Sequence, residues 1–302
     1  MAAADLRTRL LCSLHDRFGA IDALAKSQSL FELGTNGVRI YVRYSRIHGR
    51  DKTFYGLRKT DLVSLEGRPS FICFLWDGQE TPLFVSYEDY EAVFAEASPA
   101  SDGQYKVQVC VAPQGTELYV ARAGRFNVEA DFGFAAIERA VKARTETIPA
   151  LSHSQIQTLL GAIGAMKSFD VWIPSRDRES LDWSITEPFS CVRRLPMTGA
   201  MQGLLHEVDA IWFRRGSTRL AALFEVEHST PVYSGLLRLN DIHLAFPSAD
   251  RLSIVSNEIR RGLFARQIQR PTFQRSGLSE RCTFLEYGDV FHWHLRMKRN
   301  IS

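Results

Sequence analysis

The sequence predicts a mixed α+β protein of two domains. Strand-like runs separated by turn residues fill most of the first half of the 302-residue chain. In the second half, helical and strand-like segments follow one another in the order α–β–β–β–α–β. Pro149 and the segment ALSHS have the composition of a junction, so we expect an N-terminal α+β domain over residues 1–148 and a C-terminal domain over residues 149–302.

The first domain is predicted from its strand-like runs, which are bounded by glycine, aspartate and charged turns. They are, in order, GVRIYVRYS, TFYGL, SFICFLW, TPLFVSY, YKVQVCVAP and TELYVARA. A helical pattern, YEDYEAVFAEA, interrupts them, and another, FGFAAIERAVKARTET, follows them. This pattern predicts a mostly antiparallel sheet accompanied by helices.

The second domain is predicted to open with a helix. In SHSQIQTLLGAIGAMK, apolar residues recur at helical spacing from Ile156 to Ile163, with Ser152 or Ser154 placed to cap the start. The strand FDVWIPS follows, and then two strands, LLHEVDAIWFRR and RLAALFEVEH, joined by the turn RRGST. Pro231 suits the first turn of a helix over PVYSGLLRLNDIHLAF, and RLSIVSN is the last strand of the series.

Composition excludes several classes of protein. An apolar content of 45% is enough for packed cores, and no apolar run reaches the roughly 20 residues that span a bilayer. The amino-terminal MAAADLRTRLLCSLHDRFG is amphipathic rather than an export signal, so we expect a cytoplasmic protein without a membrane partner. The five cysteines are far apart and never form C-x-x-C, which predicts free thiols.

Three acidic residues of the second domain indicate a reactive site. Glu225 and Glu227 lie two positions apart on one strand, so their side chains share a face, and pairing through RRGST would bring Asp209 to them. Carboxylates on one face repel unless a cation lies among them. Mg²⁺ takes such oxygen ligands and keeps waters that can attack a phosphodiester. The alternative is the solvated face of an edge strand, on which these acids have no function.

Asp209, followed sixteen residues later by Glu225-Val226-Glu227 within this order of elements, resembles the PD-(D/E)XK nuclease superfamily, which holds most type II restriction endonucleases. FEVEHSTPVYSGLLRL and RRGLFARQIQRPTF are similar to restriction-endonuclease-like proteins, and the resemblance covers about residues 152–287. It implies a restriction-endonuclease-like α-β-β-β-α-β core with Mg²⁺ bound by Asp209 and Glu225. Glu227 stands where the usual lysine does, and there it would act as general base or as a further metal ligand.

Other polar residues of this domain have two interpretations each. The first helix has no glutamate, so Gln155 or Gln157 is its nearest polar candidate for the site, unless both belong to its solvated face. Arg238 can supply positive charge toward a phosphate or form an ion pair with a surface acid. His292 and His294, if on a strand, share a face on which a metal can bind, although no third ligand follows nearby.

Basic residues are concentrated in two segments. Residues 251–302 carry ten basic against four acidic side chains in a chain of net charge +3. In RIYVRYSRIHGRDKTFYGLRK, cations alternate with aromatic residues that include Tyr41 and Tyr55. Cations grip phosphates and rings stack on bases, so this pattern suits nucleic acid. The alternative is the polar face of an antiparallel sheet. The candidates for DNA contact are Arg43, Arg46, Lys52, Arg58, Arg238 and Arg261, and the same segment also carries Arg50 and Lys59.

Together these features predict an Mg²⁺-dependent endodeoxyribonuclease of a restriction system, whose N-terminal domain recognises DNA or mediates assembly. We expect a homodimer, because cutting both strands of a symmetric site requires two active centres. The alternative is a non-catalytic nucleic-acid-binding or defence-sensor protein that retains the nuclease fold, which the missing lysine favours.

Overall fold

Helices and strands are mixed throughout the chain, which confirms the predicted α+β class. The computed structural model describes residues 3–24, 27–34, 37–49, 51–112, 114–144, 148–197, 199–228 and 231–301. The chain divides into two compact units, Met1–Thr147 and Ile148–Ser302.

The first unit combines helices with two sheets in its described residues. Its helices are α1 (Ala3–Phe18), α2 (Lys59–Leu65), α3 (Tyr87–Glu96) and α4 (Ala135–Ala143). Its strands are β1 (Ile21–Ala23), β2 (Leu30–Leu33), β3 (Val38–Ser45), β4 (Tyr55–Arg58), β5 (Ser70–Trp76), β6 (Leu83–Ser86), β7 (Gln104–Ala112), β8 (Gly115–Val120) and β9 (Gly124–Asn127). One sheet has the order β1-β2-β3-β5-β6 and the other β4-β7-β8-β9. The pairing of β3 with β5 is parallel and the other strand pairs are antiparallel.

The core of the first unit lies on both faces of its central strands. All seven residues of β5 are buried, as the continuous apolar run SFICFLW predicts for a strand covered on both faces. Ile72 and Phe74 pack with residues of β4 and β7 on one face. Phe71 and Cys73 pack with residues of α1 and α4 on the other. The first sheet is therefore held between the second sheet and these two helices.

The second unit contains a mixed sheet. Its helices are α5 (His153–Met166), α6 (Ala200–Leu205), α7 (Val232–Ala245), α8 (Arg261–Ile268), α9 (Pro271–Ser276) and α10 (Tyr287–Ile301). Its strands are β10 (Asp170–Trp172), β11 (Ala210–Phe213), β12 (Leu220–Val226), β13 (Arg251–Ser256) and β14 (Cys282–Glu286), and they lie side by side in this order. β11 pairs antiparallel with both β10 and β12, whereas β12, β13 and β14 run parallel to one another.

Helices cover both faces of this sheet. On one face, Phe224 and Val226 of β12 pack with α5 and α10. On the other, Leu223 packs with α7, α8 and α9. The start of α5 is fixed by Ser152, whose hydroxyl accepts a hydrogen bond from the Gln155 N–H, while the Gln155 side chain accepts one from the Ser152 N–H. Since all seven residues of β12 are buried, a carboxylate on this strand cannot be part of a solvated edge.

The interpretation of His292 and His294 as neighbours on a strand is wrong, because both lie in α10. Residues two apart on a helix do not face each other. His294 is buried, with its Nε2 atom 2.8 Å from the Thr186 hydroxyl oxygen, and desolvation lowers its pKa to about 4. It is a neutral core residue rather than half of a metal site.

All five cysteines are free thiols, as predicted, and Cys73, Cys110 and Cys282 are buried. No helix within the described residues has both the length and the apolar character needed to cross a membrane.

Candidate active site

Asp209, which immediately precedes β11, lies opposite Glu225 of the neighbouring strand β12. The antiparallel register pairs Ala210 of β11 with Phe224 of β12, so the next position outward places Asp209 opposite Glu225. The Val226 N–H donates a hydrogen bond to Oδ2 of Asp209 over 2.7 Å. The turn between β11 and β12 therefore brings the two acids together, and we call Asp209, Glu225 and Glu227 the carboxylate edge.

Glu225 is a buried carboxylate with one unsatisfied oxygen. Its side chain is 1% exposed, and Arg238 of α7 forms an ion pair with Oε2. No hydrogen bond from any described residue reaches Oε1. Desolvation raises the pKa of Glu225 well above its ordinary value, and the charge of Asp209 raises it further, while Arg238 opposes both. Burial of a carboxylate is unfavourable unless both of its oxygens have partners. A bound cation would provide the partner that Oε1 of Glu225 lacks.

Glu227 is also buried and lies on the same side of the sheet as Glu225. It follows the last residue of β12, and its N–H donates to the Val255 carbonyl over 2.8 Å. A Cβ atom built on Gly235 of α7 would overlap Oε1 of Glu227 and lie 3.3 Å from Cβ of Glu225. Both glutamates therefore face α7, and the missing side chain at position 235 leaves the space that the Glu227 carboxylate fills.

We expect Gly235→Ala to displace the Glu227 carboxylate while the protein stays folded. The flexible end of Glu227 must move to admit the new methyl group, whereas alanine favours the helix by about 1 kcal/mol over glycine. If Glu227 acts on substrate, displacing its carboxylate by about 1 Å should slow the reaction by about a hundredfold.

The matched control for this substitution is Gly262→Ala in α8, where a Cβ meets no described atom within 4 Å. The measurement is the initial rate of DNA cleavage for both variants, together with their thermal unfolding. Equal rates in Gly235→Ala and the control would mean that the position of Glu227 has no influence on the reaction.

The first helix of the unit contributes residues that the sequence did not assign correctly. Nε2 of His153, the first residue of α5, lies 3.6 Å from Oδ1 of Asp209, and contact with this carboxylate raises the pKa of His153. Gln157 is fully buried, so its assignment to a solvated face is wrong, and it donates to the Asp209 carbonyl over 2.7 Å. In the sequence, the only indication that His153 lies near the site was its position directly after the capping serine Ser152. The surrounding segment has the composition of a junction.

The chain beyond β12 is held by its own contacts. Nη1 of Arg260 donates to the carbonyls of Glu227 and His228, over 3.0 and 3.4 Å. The His228 ring stacks on Tyr287 with 6.0 Å between ring centroids and 7° between planes. Burial raises the pKa of Tyr287 to about 12, and the charges of Glu227 and Asp209 add to the shift. These contacts fix the backbone that presents Glu227.

The basic residues predicted to contact DNA lie in different environments. In the first unit, Arg46, Lys52 and Arg58 are exposed, whereas Arg43 is half-buried beside the Tyr41 ring. Arg50 lies outside the described residues. In the second unit, Arg238 pairs with Glu225, and Nη2 of Arg261 lies 2.7 Å from Oε1 of Glu286. Arg251, counted among the basic residues of the last segment, is buried.

The aromatic residues proposed to stack on bases need a correction. Tyr41 and Tyr55 are buried at 0% and 4% exposure, so neither ring can reach a base. Phe54, which neighbours Tyr55 and points the opposite way on an extended chain, is 50% exposed and contacts His48 edge-on. Of the Tyr and Phe rings among this segment's described residues, Phe54 is the exposed one.

The carboxylate edge fits a hard divalent cation. No group of three or more His, Cys, Asp or Glu side chains in the described parts of the chain converges closely enough to hold a metal ion by itself. Mg²⁺ does not require such a group, because it is commonly held by one or two carboxylates, waters and substrate phosphates. The oxygens that could bind a cation are Oε1 of Glu225 and Oδ1 of Asp209, which lies 3.6 Å from Nε2 of His153. Oε2 and Oδ2 are occupied by Arg238 and the Val226 N–H.

Comparison with known proteins points to restriction enzymes. Residues 137–301, more than half of the chain, match the family described as type II restriction enzyme NmeDI C-terminal domain. Over 104 residues the chain is 36% identical to type II restriction enzyme NmeDI of Neisseria meningitidis serogroup C, which covers 32% of this chain and 29% of that protein. The chain thus matches less than a third of the length of this curated relative. No solved structure matches the chain significantly.

Proposed function

We propose that this chain, which belongs to the family of the type II restriction enzyme NmeDI C-terminal domain, is a metal-dependent DNA endonuclease. The observation that carries the proposal is the buried pair of opposed carboxylates, Asp209 and Glu225, with Oε1 of Glu225 unsatisfied. In a metal-dependent phosphodiesterase, the protein holds the acidic ligands in position for the cation. Buried polar atoms usually have a hydrogen-bond partner, so the unsatisfied oxygen of Glu225 supports a role in binding a ligand.

Asp209 and Glu225 would hold Mg²⁺ through Oδ1 and Oε1. When bound, Mg²⁺ lowers the pKa of a water molecule and neutralises charge that develops on the phosphate. Glu227 would accept the proton of the water that attacks phosphorus, as the bond to the leaving oxygen breaks. Gly235 gives its carboxylate room, and Arg260 fixes its backbone.

The finer assignment to the PD-(D/E)XK superfamily is part of this proposal. It is supported by the succession of α5, β10, β11, β12, α7 and β13, in which the short helix α6 falls between β10 and β11. Asp209 immediately precedes β11, and Glu225 lies one residue from the end of β12. Glu227 in place of the usual lysine would leave the carboxylate edge without a lysine, while Arg238 forms an ion pair with Glu225.

DNA is the proposed substrate, and the exposed cations Arg46, Lys52 and Arg58 are proposed to contact its phosphates. A two-fold homodimer would supply one active centre for each strand of a symmetric site. Such an enzyme would work in the cytoplasm, where it meets DNA. The N-terminal unit would recognise DNA or mediate assembly.

We expect the affinity for DNA to fall by about one power of salt concentration for each phosphate contact. Arg46→Ala should lower this slope by about one unit and weaken binding evenly across DNA sequences, because a phosphate contact carries no base information. Fluorescence anisotropy at four salt concentrations measures the slope, with Arg9→Ala on α1 as the control. A slope that does not change with Arg46→Ala would remove this residue from the interface.

The function itself is tested by digestion of long phage DNA, which offers many candidate sites. With Mg²⁺ we expect discrete fragments, and with EDTA intact DNA. Methylated and unmethylated DNA are compared, so that a requirement for modification is not mistaken for inactivity. Intact DNA of both kinds in the presence of Mg²⁺ and Mn²⁺, with retained DNA binding, would favour the non-catalytic DNA-binding protein.

A further inference from the structure

We propose that Arg176, in the turn after β10, binds a backbone phosphate of DNA beside the carboxylate edge. The inference rests on the proposed function and adds to it a residue that holds the substrate at the site. The basic residues predicted from the sequence to contact DNA do not include Arg176. Its side chain is 61% exposed, and its position follows from the register of the sheet.

The register of β10 places this turn at the carboxylate edge. Trp172 pairs with Ile211, so continuation of the antiparallel register by two residues brings Pro174 opposite Asp209. Because β10 and β12 are both antiparallel to β11, they run in the same direction and both end at this edge of the sheet. Arg176 follows Pro174 by two residues, so it lies at the end of the sheet where the carboxylate edge is.

The turn after β10 is held by its own hydrogen bonds. The Asp177 N–H donates to the Pro174 carbonyl over 2.9 Å. Arg178 donates from Nε and Nη2 to the carbonyls of Ile173 and Val192, over 2.8 Å in each case. These bonds fix the backbone of the turn, while an exposed side chain on it remains free to move. A fixed backbone reduces the entropy that is lost when such a side chain binds a ligand.

The ion pairs of Arg176 are ones that a phosphate can replace. Nη1 lies 2.7 Å from Oε2 of Glu207, and Nε lies 3.6 Å from Oδ1 of Asp177. Glu207 raises the pKa of Arg176, and the charges of Asp177 and Asp209 add to the shift, so the guanidinium is within electrostatic reach of the carboxylate edge. Glu207 is 45% exposed, and an exposed ion pair contributes little to stability. A phosphate can accept two parallel hydrogen bonds from the same guanidinium.

The carboxylate edge requires nearby positive charge if it is to admit DNA, because its acids repel a phosphate. Arg238 is paired with Glu225, and Arg260 donates to two backbone carbonyls beyond β12. Both of these guanidinium groups hold the site together, whereas that of Arg176 is largely exposed to solvent. Arg176 is therefore suited to offset the repulsion from outside the site.

The test measures binding to a duplex that carries the cleavage site found with phage DNA, in EDTA so that no strand is cut. We expect Arg176→Ala to bind roughly tenfold or more weakly, because a hydrogen bond to a charged group is lost. Arg176→Lys should lie between this variant and the wild type, since lysine keeps the charge without the planar fork. Both variants should melt near the wild-type temperature, because the ion pair that they alter is exposed.

Glu207→Gln is the matched control, because it breaks the same ion pair from the other side. If Arg176 binds phosphate, this variant should bind DNA as tightly as the wild type or more tightly, since it removes an acid and releases the guanidinium. If Arg176 served only to hold Glu207, the two substitutions would have equal effects.

The place of the contact is tested with duplexes in which one phosphate at a time is replaced by an uncharged methylphosphonate. We expect one replacement next to the cleaved bond to weaken binding by the wild type about as much as Arg176→Ala does. The same replacement should have no further effect in Arg176→Ala, because the two changes remove one interaction. Effects that add fully at every position would contradict the contact.

The outcomes separate the two proposals. Wild-type affinity in Arg176→Ala, or equal losses in Arg176→Ala and Glu207→Gln, would overturn the role of Arg176 and leave the nuclease standing. If the wild type binds DNA but cuts none, the proposed function fails, and the salt dependence of binding to a mixed-sequence duplex decides about Arg176. A slope about one unit lower in Arg176→Ala would then support the contact, and an equal slope would overturn it. A wild type that binds no DNA would contradict both.

Discussion

Asp209→Ala and Glu225→Ala should each lower the rate of DNA cleavage by at least about three powers of ten while the protein stays folded. Each substitution removes one of the two carboxylates proposed to hold the cation. Either acid alone offers a single oxygen ligand, which cannot fix the ion against the phosphate. Glu225→Gln should have the same effect, since it keeps the shape of the side chain and removes only its charge.

Loss of these acids should not weaken DNA binding. A site that receives a phosphate repels it less once a carboxylate is gone, so affinity should be retained or become tighter. In the Glu225 variants the fold should be equally stable or more so, because the Glu225 charge is buried and its partner Arg238 is about one-third exposed and can turn to solvent. Asp209→Ala should lower the melting temperature, because the buried Val226 N–H loses its acceptor. Cleavage rate, DNA affinity and melting temperature are therefore measured on the same preparations.

Asp250→Asn is the matched control for these substitutions. Asp250 lies directly before β13 in the same sheet, and its oxygens are 2.9 Å from Nη2 of Arg214 and 3.3 Å from Nη2 of Arg219. Its loss removes an acid with two arginine partners but leaves the carboxylate edge intact, so the cleavage rate should be that of the wild type. Full activity in Asp209→Ala or Glu225→Ala would contradict the assignment of the site.

Glu227→Gln should cost about two to four powers of ten in rate. Glutamine keeps the size of the side chain in the space beside Gly235, but it cannot accept a proton from the attacking water. Metal binding should survive, because Asp209 and Glu225 remain. The loss should therefore appear in the rate under saturating Mg²⁺ and not in the Mg²⁺ concentration needed for half-maximal activity.

Glu227→Lys restores the residue usual in the resembled superfamily, and we expect it to be inactive. The side chain at 227 is buried beside Glu225, so an ammonium there would compete with the cation that Asp209 and Glu225 hold. Nicking of plasmid DNA by the two variants measures both effects. A wild-type rate in Glu227→Gln would show that another group takes the proton from the water.

Local patterns were sufficient to predict much of the candidate site. The turn RRGST predicted that β11 and β12 pair, and the alternation of side chains on a strand predicted that Glu225 and Glu227 share a face. These inferences depend on neighbours within about twenty residues of the chain. For this reason the opposition of Asp209 and Glu225 could be anticipated without a structure.

Contacts between distant segments could not be predicted in this way. His153 reaches Asp209 only because α5 packs beside the sheet, and the segment before it has no hydrophobic pattern that would reveal this. The partner of Arg261 is Glu286, which follows after α8, α9 and most of β14. Tyr41 and Tyr55 alternate with basic residues as surface rings would, yet both are buried between the sheets of the first unit.

The most direct test of the central claim is a time course of supercoiled plasmid cleavage by the wild type and by Glu225→Gln, purified identically, with Mg²⁺ and with EDTA. A plasmid that carries the cleavage site found with phage DNA supplies the substrate. The account predicts nicked and then linear DNA only for the wild type with Mg²⁺, and intact plasmid in the other three reactions. Equal cleavage by both proteins, or cleavage by the wild type in EDTA, would contradict a metal-dependent active site at the carboxylate edge.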